Sequence, residues 1–127
     1  MTARNRLGLA LRWVTILLLG ADAAVMAFRP ESLAREFAAT GFASWQAPAI
    51  AAILAVAILL YAIPRTSLIG AILVTGFLGG AICAHFRLGE IGSPPQLACL
   101  LLGAIAWAGV AARRSIRPWL DAGDRPA

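Results

Sequence analysis

Residues 67–86 read SLIGAILVTGFLGGAICAHF, a run without a single Asp, Glu, Lys or Arg. A helix of that length, at about 1.5 Å of rise per residue, reaches roughly 30 Å, the thickness of a bilayer's hydrocarbon core. The rest of the chain agrees with a lipid solvent. It has 127 residues, of which 61% are hydrophobic and 13% charged, and its mean hydropathy is +0.81. A small water-soluble domain has too little interior to hide that much apolar surface. The formal net charge of +5 does not mark a nucleic-acid binder. The arginines flank apolar runs and form no stripe on a polar face.

Working outward, three more runs are long enough to cross. The expected spans are 7–28, 47–63, 67–86 and 95–112, the last beginning at Pro94 or Pro95. Inside lipid only a helix satisfies the backbone of such segments. No useful period-2 alternation is present, so strands are not expected. The fold class is therefore all-α, an integral membrane four-helix bundle. Pro64, Arg65 and Thr66 form a tight turn that makes the second and third spans antiparallel neighbours. Thr66 or Ser67 can cap the third span, and Ser93 followed by Pro94 is a start signal for the fourth. A four-helix transmembrane unit is assigned to residues 1–117, and residues 113–127 form a basic cytoplasmic tail. The first run also resembles a cleavable signal peptide, but Asp22 and the length of the run favour a retained span.

The arginines set the expected orientation. Arg4, Arg6, Arg12, Arg65, Arg113, Arg114, Arg117 and Arg125 fall on one side, and Arg29, Arg35 and Arg87 on the other. The positive-inside rule puts both termini in the cytoplasm. Trp13 and Trp119 then mark the inner interface, Trp45 the outer one, and Trp107 is expected within the bundle. The outer connection from Arg29 to Gln46 carries a helix start at Pro30 and Glu31. Leu33 and Phe37 lie one turn apart there, and Gly41 is placed to end the segment, so a short amphipathic surface helix is expected. Eleven arginines without a lysine, with abundant Ala and Gly, suggest a GC-rich bacterial genome and hence a bacterial inner membrane.

Function has to come from the few residues that break the apolar pattern. Gly76, Gly80 and Ala84 share one face of the third span, with Gly79 and Cys83 in a second row of small residues. Helices in lipid associate through close backbone approach, so these rows predict packing against another span of the chain, or else against a second copy. Asp22, His85, Arg87 and Glu90 gather toward the outer half as a candidate polar pocket. Asp22 lies roughly 9 Å below the end of its span by helix rise. A charge at that depth is costly and calls for a partner or an interior-facing position. His85 sits about 6 Å shallower on the same scale. As an acid–base pair the two are therefore mismatched in depth, and no other candidate exists. One histidine without a second His or a Cys-rich motif supplies no metal-ligand set. Cys83 and Cys99 fall at similar depth on consecutive spans, where a disulfide can form if their Cα atoms approach within about 7 Å.

Tyr61 to Gly89, YAIPRTSLIGAILVTGFLGGAICAHFRLG, combines an apolar span ending in Pro-Arg-Thr, a glycine-rich span with T-G-x-x-G-G, and a His-x-Arg near its far end. Together with Asp22 and the following ESLAREFAATGF, this resembles the DoxX-like family of small bacterial membrane proteins. The resemblance extends in layout over residues 6–117. It implies a four-helix membrane bundle, with Pro64, Arg65, Thr66, Gly76, Gly79, Gly80, His85 and Arg87 as structural positions. The family takes its name from subunits of a quinone-linked sulfur oxidoreductase, and some relatives are tied to redox homeostasis. The expected role is thus a non-catalytic membrane subunit, with the lipid bilayer, a membrane oxidoreductase or a second copy as partner. The alternative is a quinone- or lipid-binding protein whose pocket ends on Asp22, His85 and Arg87. Quinone enters through the resemblance alone.

Overall fold

The computed structural model describes residues 3–112. The expected basic tail, with Arg113, Arg114, Arg117, Trp119 and Arg125, lies outside them. Every regular element among the described residues is helical. Four helices are long and apolar enough to cross a membrane. They are α1 (Ala3–Phe28), α3 (Ala47–Ala62, which reaches membrane length together with the 3-10 turn Ser44–Gln46 that leads into it), α4 (Ser67–Arg87) and α5 (Pro94–Ala112), with the short α2 (Ala34–Thr40) between the first two. Each of the four packs on two others, giving the ring α1–α3–α4–α5.

The bundle is inside out by the standard of a soluble protein. No more than 28% of any span's most apolar window is buried, and Leu17, Ile53, Leu59, Ile72 and Leu101 are among the large apolar side chains that face outward. In water that surface would be prohibitive, whereas in lipid it is the solvated surface. Much of what is buried is small. Ala47, Ala51, Ala57, Ala71 and Ala106 all lie in the core, and small residues let helix axes approach where dispersion must hold them together.

Tyr61 is the hub. It is 1% exposed and among the largest fully buried side chains. Its hydroxyl donates to the Ala106 carbonyl of α5 at 2.9 Å, which meets the need of a phenol in an apolar interior for an acceptor. Two glycines make room for it. A Cβ on Gly70 of α4 would run into the backbone of Tyr61 and Leu60, and one on Gly109 of α5 would lie 2.8 Å from the phenolic oxygen. The same Gly109 Cβ would come within 3.3 Å of the Arg12 backbone nitrogen, so α1 also closes on this point.

The turn between α3 and α4 is tight, but its hydroxyls act otherwise than expected. Thr66 and Ser67 do not accept from the free amides of α4. Thr66 Oγ1 donates to the Leu60 carbonyl at 2.8 Å and Ser67 Oγ to the Pro64 carbonyl at 3.2 Å. The Leu60 carbonyl in the last turn of α3 has lost its helical partner, because Pro64 four residues on has no N–H, and the Pro64 carbonyl lies in the turn itself. The start of α5 differs in a related way. Pro94 opens the helix, but Ser93 Oγ is buried without a hydrogen-bond partner. Pro95, at the second helical position, has no N–H, so one of the two amides a cap would serve does not exist. Gln96 takes over. Its Oε1 accepts from the Gly92 amide at 2.8 Å, and its Nε2 donates to the Ile82 carbonyl of α4 at 3.2 Å.

The connection from Arg29 to Gln46 forms a 3-10 turn over Pro30–Leu33, then α2, then a second turn over Ser44–Gln46. Gly41 ends α2 at φ 80°, and the Phe42 amide reaches back to the Phe37 carbonyl at 2.9 Å. Phe37 is the buried residue of the helix, and its ring meets Phe42 edge-on with centroids 6.3 Å apart.

Candidate functional site

Asp22, Glu36, His85, Arg87, Glu90 and Cys99 all belong to the end of the bundle where α2 lies, but they divide among separate local arrangements. His85 and Glu90 form one. The His85 ring Nδ1 donates to Glu90 Oε2 at 2.7 Å, and the Glu90 amide donates to the His85 carbonyl at 3.2 Å. This folds the loop after α4 back onto its last turn. It is the sole ion pair among the described residues and it is open to solvent, so its contribution to stability is small.

Arg87 forms the second arrangement. A Cβ on Gly41 would lie 3.4 Å from its guanidinium, so the end of α4 rests against the end of α2. Asp22 forms the third. It is half-buried on α1, within electrostatic reach of Glu36 on α2 and Cys99 on α5. No hydrogen bond joins Asp22 to His85 or Arg87 among the described residues. Cys83 and Cys99 are both free thiols. Cys83 points outward from α4, whereas Cys99 packs against the core cluster, so the two face different ways despite their similar depth. Among the described residues, no three His, Cys, Asp or Glu side chains are placed to hold a metal ion.

The glycine row on α4 does not do what its spacing suggested within the chain. Gly76 and Gly80 are exposed, and a Cβ on Gly76, Gly79 or Gly80 would meet nothing within 4 Å. The close approaches are at Gly8, Gly70 and Gly109 instead. Ala84 is half-buried. The reason is rotational. The buried face of α4 runs through Ser67, Gly70, Ala71, Val74 and Leu78, and Gly76 and Gly80 lie on the opposite side. Trp107 is likewise displaced from the interior. It is 37% exposed, and its indole N–H donates to Thr75 Oγ1 at 2.8 Å across the α4–α5 seam.

Sequence reasoning passed over two structural anchors, Tyr61 and Gln96. Each is a lone hydrogen-bonding side chain in an apolar run, which is the signal that an interior partner awaits it.

Two shallow apolar grooves run along the flanks. One lies between α1 and α3, has a volume of about 550 Å³, and is walled by small side chains such as Ala24, Ala27, Ala52 and Ala55. The other, about 740 Å³, lies between α3 and α4 and is walled by larger ones, among them Ile53, Val56, Ile72 and Leu73. Asp22, His85, Arg87 and Glu90 line neither.

The fold and these flanks define a small four-span helical membrane protein. Residues 10–110, most of the chain, match the DoxX-like family, and the protein belongs to it. No curated protein and no solved structure matches the chain significantly.

Proposed function

We propose that the protein is a non-catalytic membrane subunit, working beside a membrane oxidoreductase in a redox-related process of the bacterial inner membrane. One observation carries this reading. His85, Glu90 and Arg87 at the α2 end are engaged in local structure, whereas the flanks offer extended apolar surface, Leu17, Leu59, Ile72 and Leu101 among it. Such surfaces suit association within the bilayer, where packing of helix flanks holds subunits together. In the proposed orientation both chain ends are cytoplasmic and α2 lies on the outer surface, following the arginine distribution. The alternative, a quinone- or lipid-binding pocket ending on Asp22, His85 and Arg87, needs those side chains to converge on one cavity, and neither groove is lined by them. The test is extraction of the tagged chain from native membranes in a mild detergent, followed by mass spectrometry of the intact species. A stoichiometric complex with a membrane oxidoreductase is expected. A lone monomer carrying no polypeptide partner would contradict the proposal.

A further inference from the structure

The groove between α1 and α3 differs from its neighbour in that a charged residue, Arg29, directly follows Phe28, the last residue of its α1 wall. Its wall runs from Gly20 to Phe28 on α1 and from Pro48 to Ala62 on α3, about 12 Å and about 21 Å by helix rise, so on the α3 side it reaches beyond the roughly 15 Å of one leaflet's hydrocarbon. Phe28 is 84% exposed. The Arg29 backbone is fixed. Its amide donates to the Val25 carbonyl at 2.8 Å, and its carbonyl accepts from the Ser32 amide at 3.1 Å and from Ser32 Oγ at 2.7 Å. Its guanidinium is exposed and forms no ion pair among the described residues, not even with Glu31 two positions on. Trp45, 78% exposed, stands just before α3 on the other side of the groove, at the level where indoles settle among headgroups. The groove between α3 and α4 has no charged residue adjoining its wall, and nothing there selects an occupant.

Size separates a lipid chain from a helix as occupant. A volume of about 550 Å³ spread over the roughly 21 Å of the α3 wall leaves a mean cross-section of about 26 Å². A helix about 10 Å across requires about 80 Å², while an extended hydrocarbon chain is far thinner. We propose that this groove binds an anionic phospholipid, with one acyl chain along the alanine wall and the phosphate held by Arg29. Arginine suits that task because its planar fork matches phosphate oxygens. The site goes beyond the subunit role above and stands whether or not a partner polypeptide is found.

The test is a titration of the purified protein in detergent with phosphatidylglycerol and, separately, with phosphatidylcholine of the same chains, read by thermal shift and by mass spectrometry of the intact complex. One phosphatidylglycerol per chain is expected, bound about 5-fold more tightly than phosphatidylcholine, the size of effect one arginine exerts near a membrane surface. Arg29→Gln should erase that preference, and Arg35→Gln, at an exposed arginine on α2, should leave it intact. Ala55→Phe and Ala24→Leu, at exposed positions on opposite walls, should abolish retention of both lipids without changing the lipid-free melting temperature. Equal affinity for the two lipids would overturn the proposal, as would equal effects of the two arginine variants or lipid retention by the filled-groove variants. Stabilisation by inorganic phosphate alone would assign Arg29 to a free anion and overturn it as well. So would displacement of the lipid by a co-purifying polypeptide whose binding the filled-groove variants also block.

Discussion

The two halves of α4 use glycine in opposite ways. Near the α3–α4 turn, Gly70 is buried and lies directly beneath the backbone of Tyr61, so the missing Cβ is what allows α3 and α4 to meet. One and a half to three turns further along, Gly76 and Gly80 face outward and nothing approaches them. The motif that looks most like a packing signal is therefore silent within the chain, and an isolated glycine without a motif is indispensable. In lipid a glycine matters through the face it lies on, because close approach is the main source of helix–helix attraction there.

Substitutions along this contrast are ordered by expected effect. The largest belongs to Gly70→Ala. The new methyl would overlap backbone atoms of Tyr61 and Leu60, which no rotamer change can relieve, so a loss of about 3 kcal/mol or more is expected. Thermal unfolding in detergent would show it as a collapse of the melting temperature. An unchanged melting temperature would mean that α3 and α4 do not approach as described. Next comes Tyr61→Phe, which removes the buried hydrogen bond to Ala106 and keeps the ring. A loss of about 1 to 1.5 kcal/mol is expected, measurable by reversible unfolding in mixed micelles.

Gly41→Ala tests the α2 end. Its φ of 80° is strained for any residue with a Cβ, and the added methyl would also press on Arg87. A cost of about 1 kcal/mol is expected, expressed locally as faster amide exchange in α2 than in the spans. Gly80→Ala should have the smallest effect, within about 0.5 kcal/mol of wild type and on the stabilising side, because alanine is the better helix former and the site is open. A large destabilisation there, with a change in oligomeric mass, would show that a second copy packs on this row after all.

These cases also show what the sequence could convey. Four apolar runs of membrane length are a property of composition, so the helices and the breaks at Pro64 and at Pro94 are visible without coordinates. The residues within each break were harder to read. Thr66, Ser67 and Ser93 have the chemistry of N-caps, but local geometry sends the first two to carbonyls, and Pro95 removes one of the two amides the third could accept from. The rotation of α4 was not readable from spacing, because nearly every position of that helix is apolar or small. A span with no polar face has no pattern to say which side is inside. The candidate site was legible only as a grouping at one end. That His85 turns to Glu90 while Arg87 turns to α2 depends on side-chain directions that sequence separation does not encode.

The central claim is a four-span bundle with both chain ends on the cytoplasmic side and the α2 end on the outside. It is tested most directly by placing one reporter thiol in the loop between α4 and α5. Ile91→Cys, at a position 77% exposed, is made in a chain where Cys83 and Cys99 have been replaced by alanine. A membrane-impermeant maleimide is then added to intact cells and, separately, to inverted membrane vesicles. The account predicts labelling in intact cells and protection in inverted vesicles. Labelling confined to the inverted vesicles would contradict it.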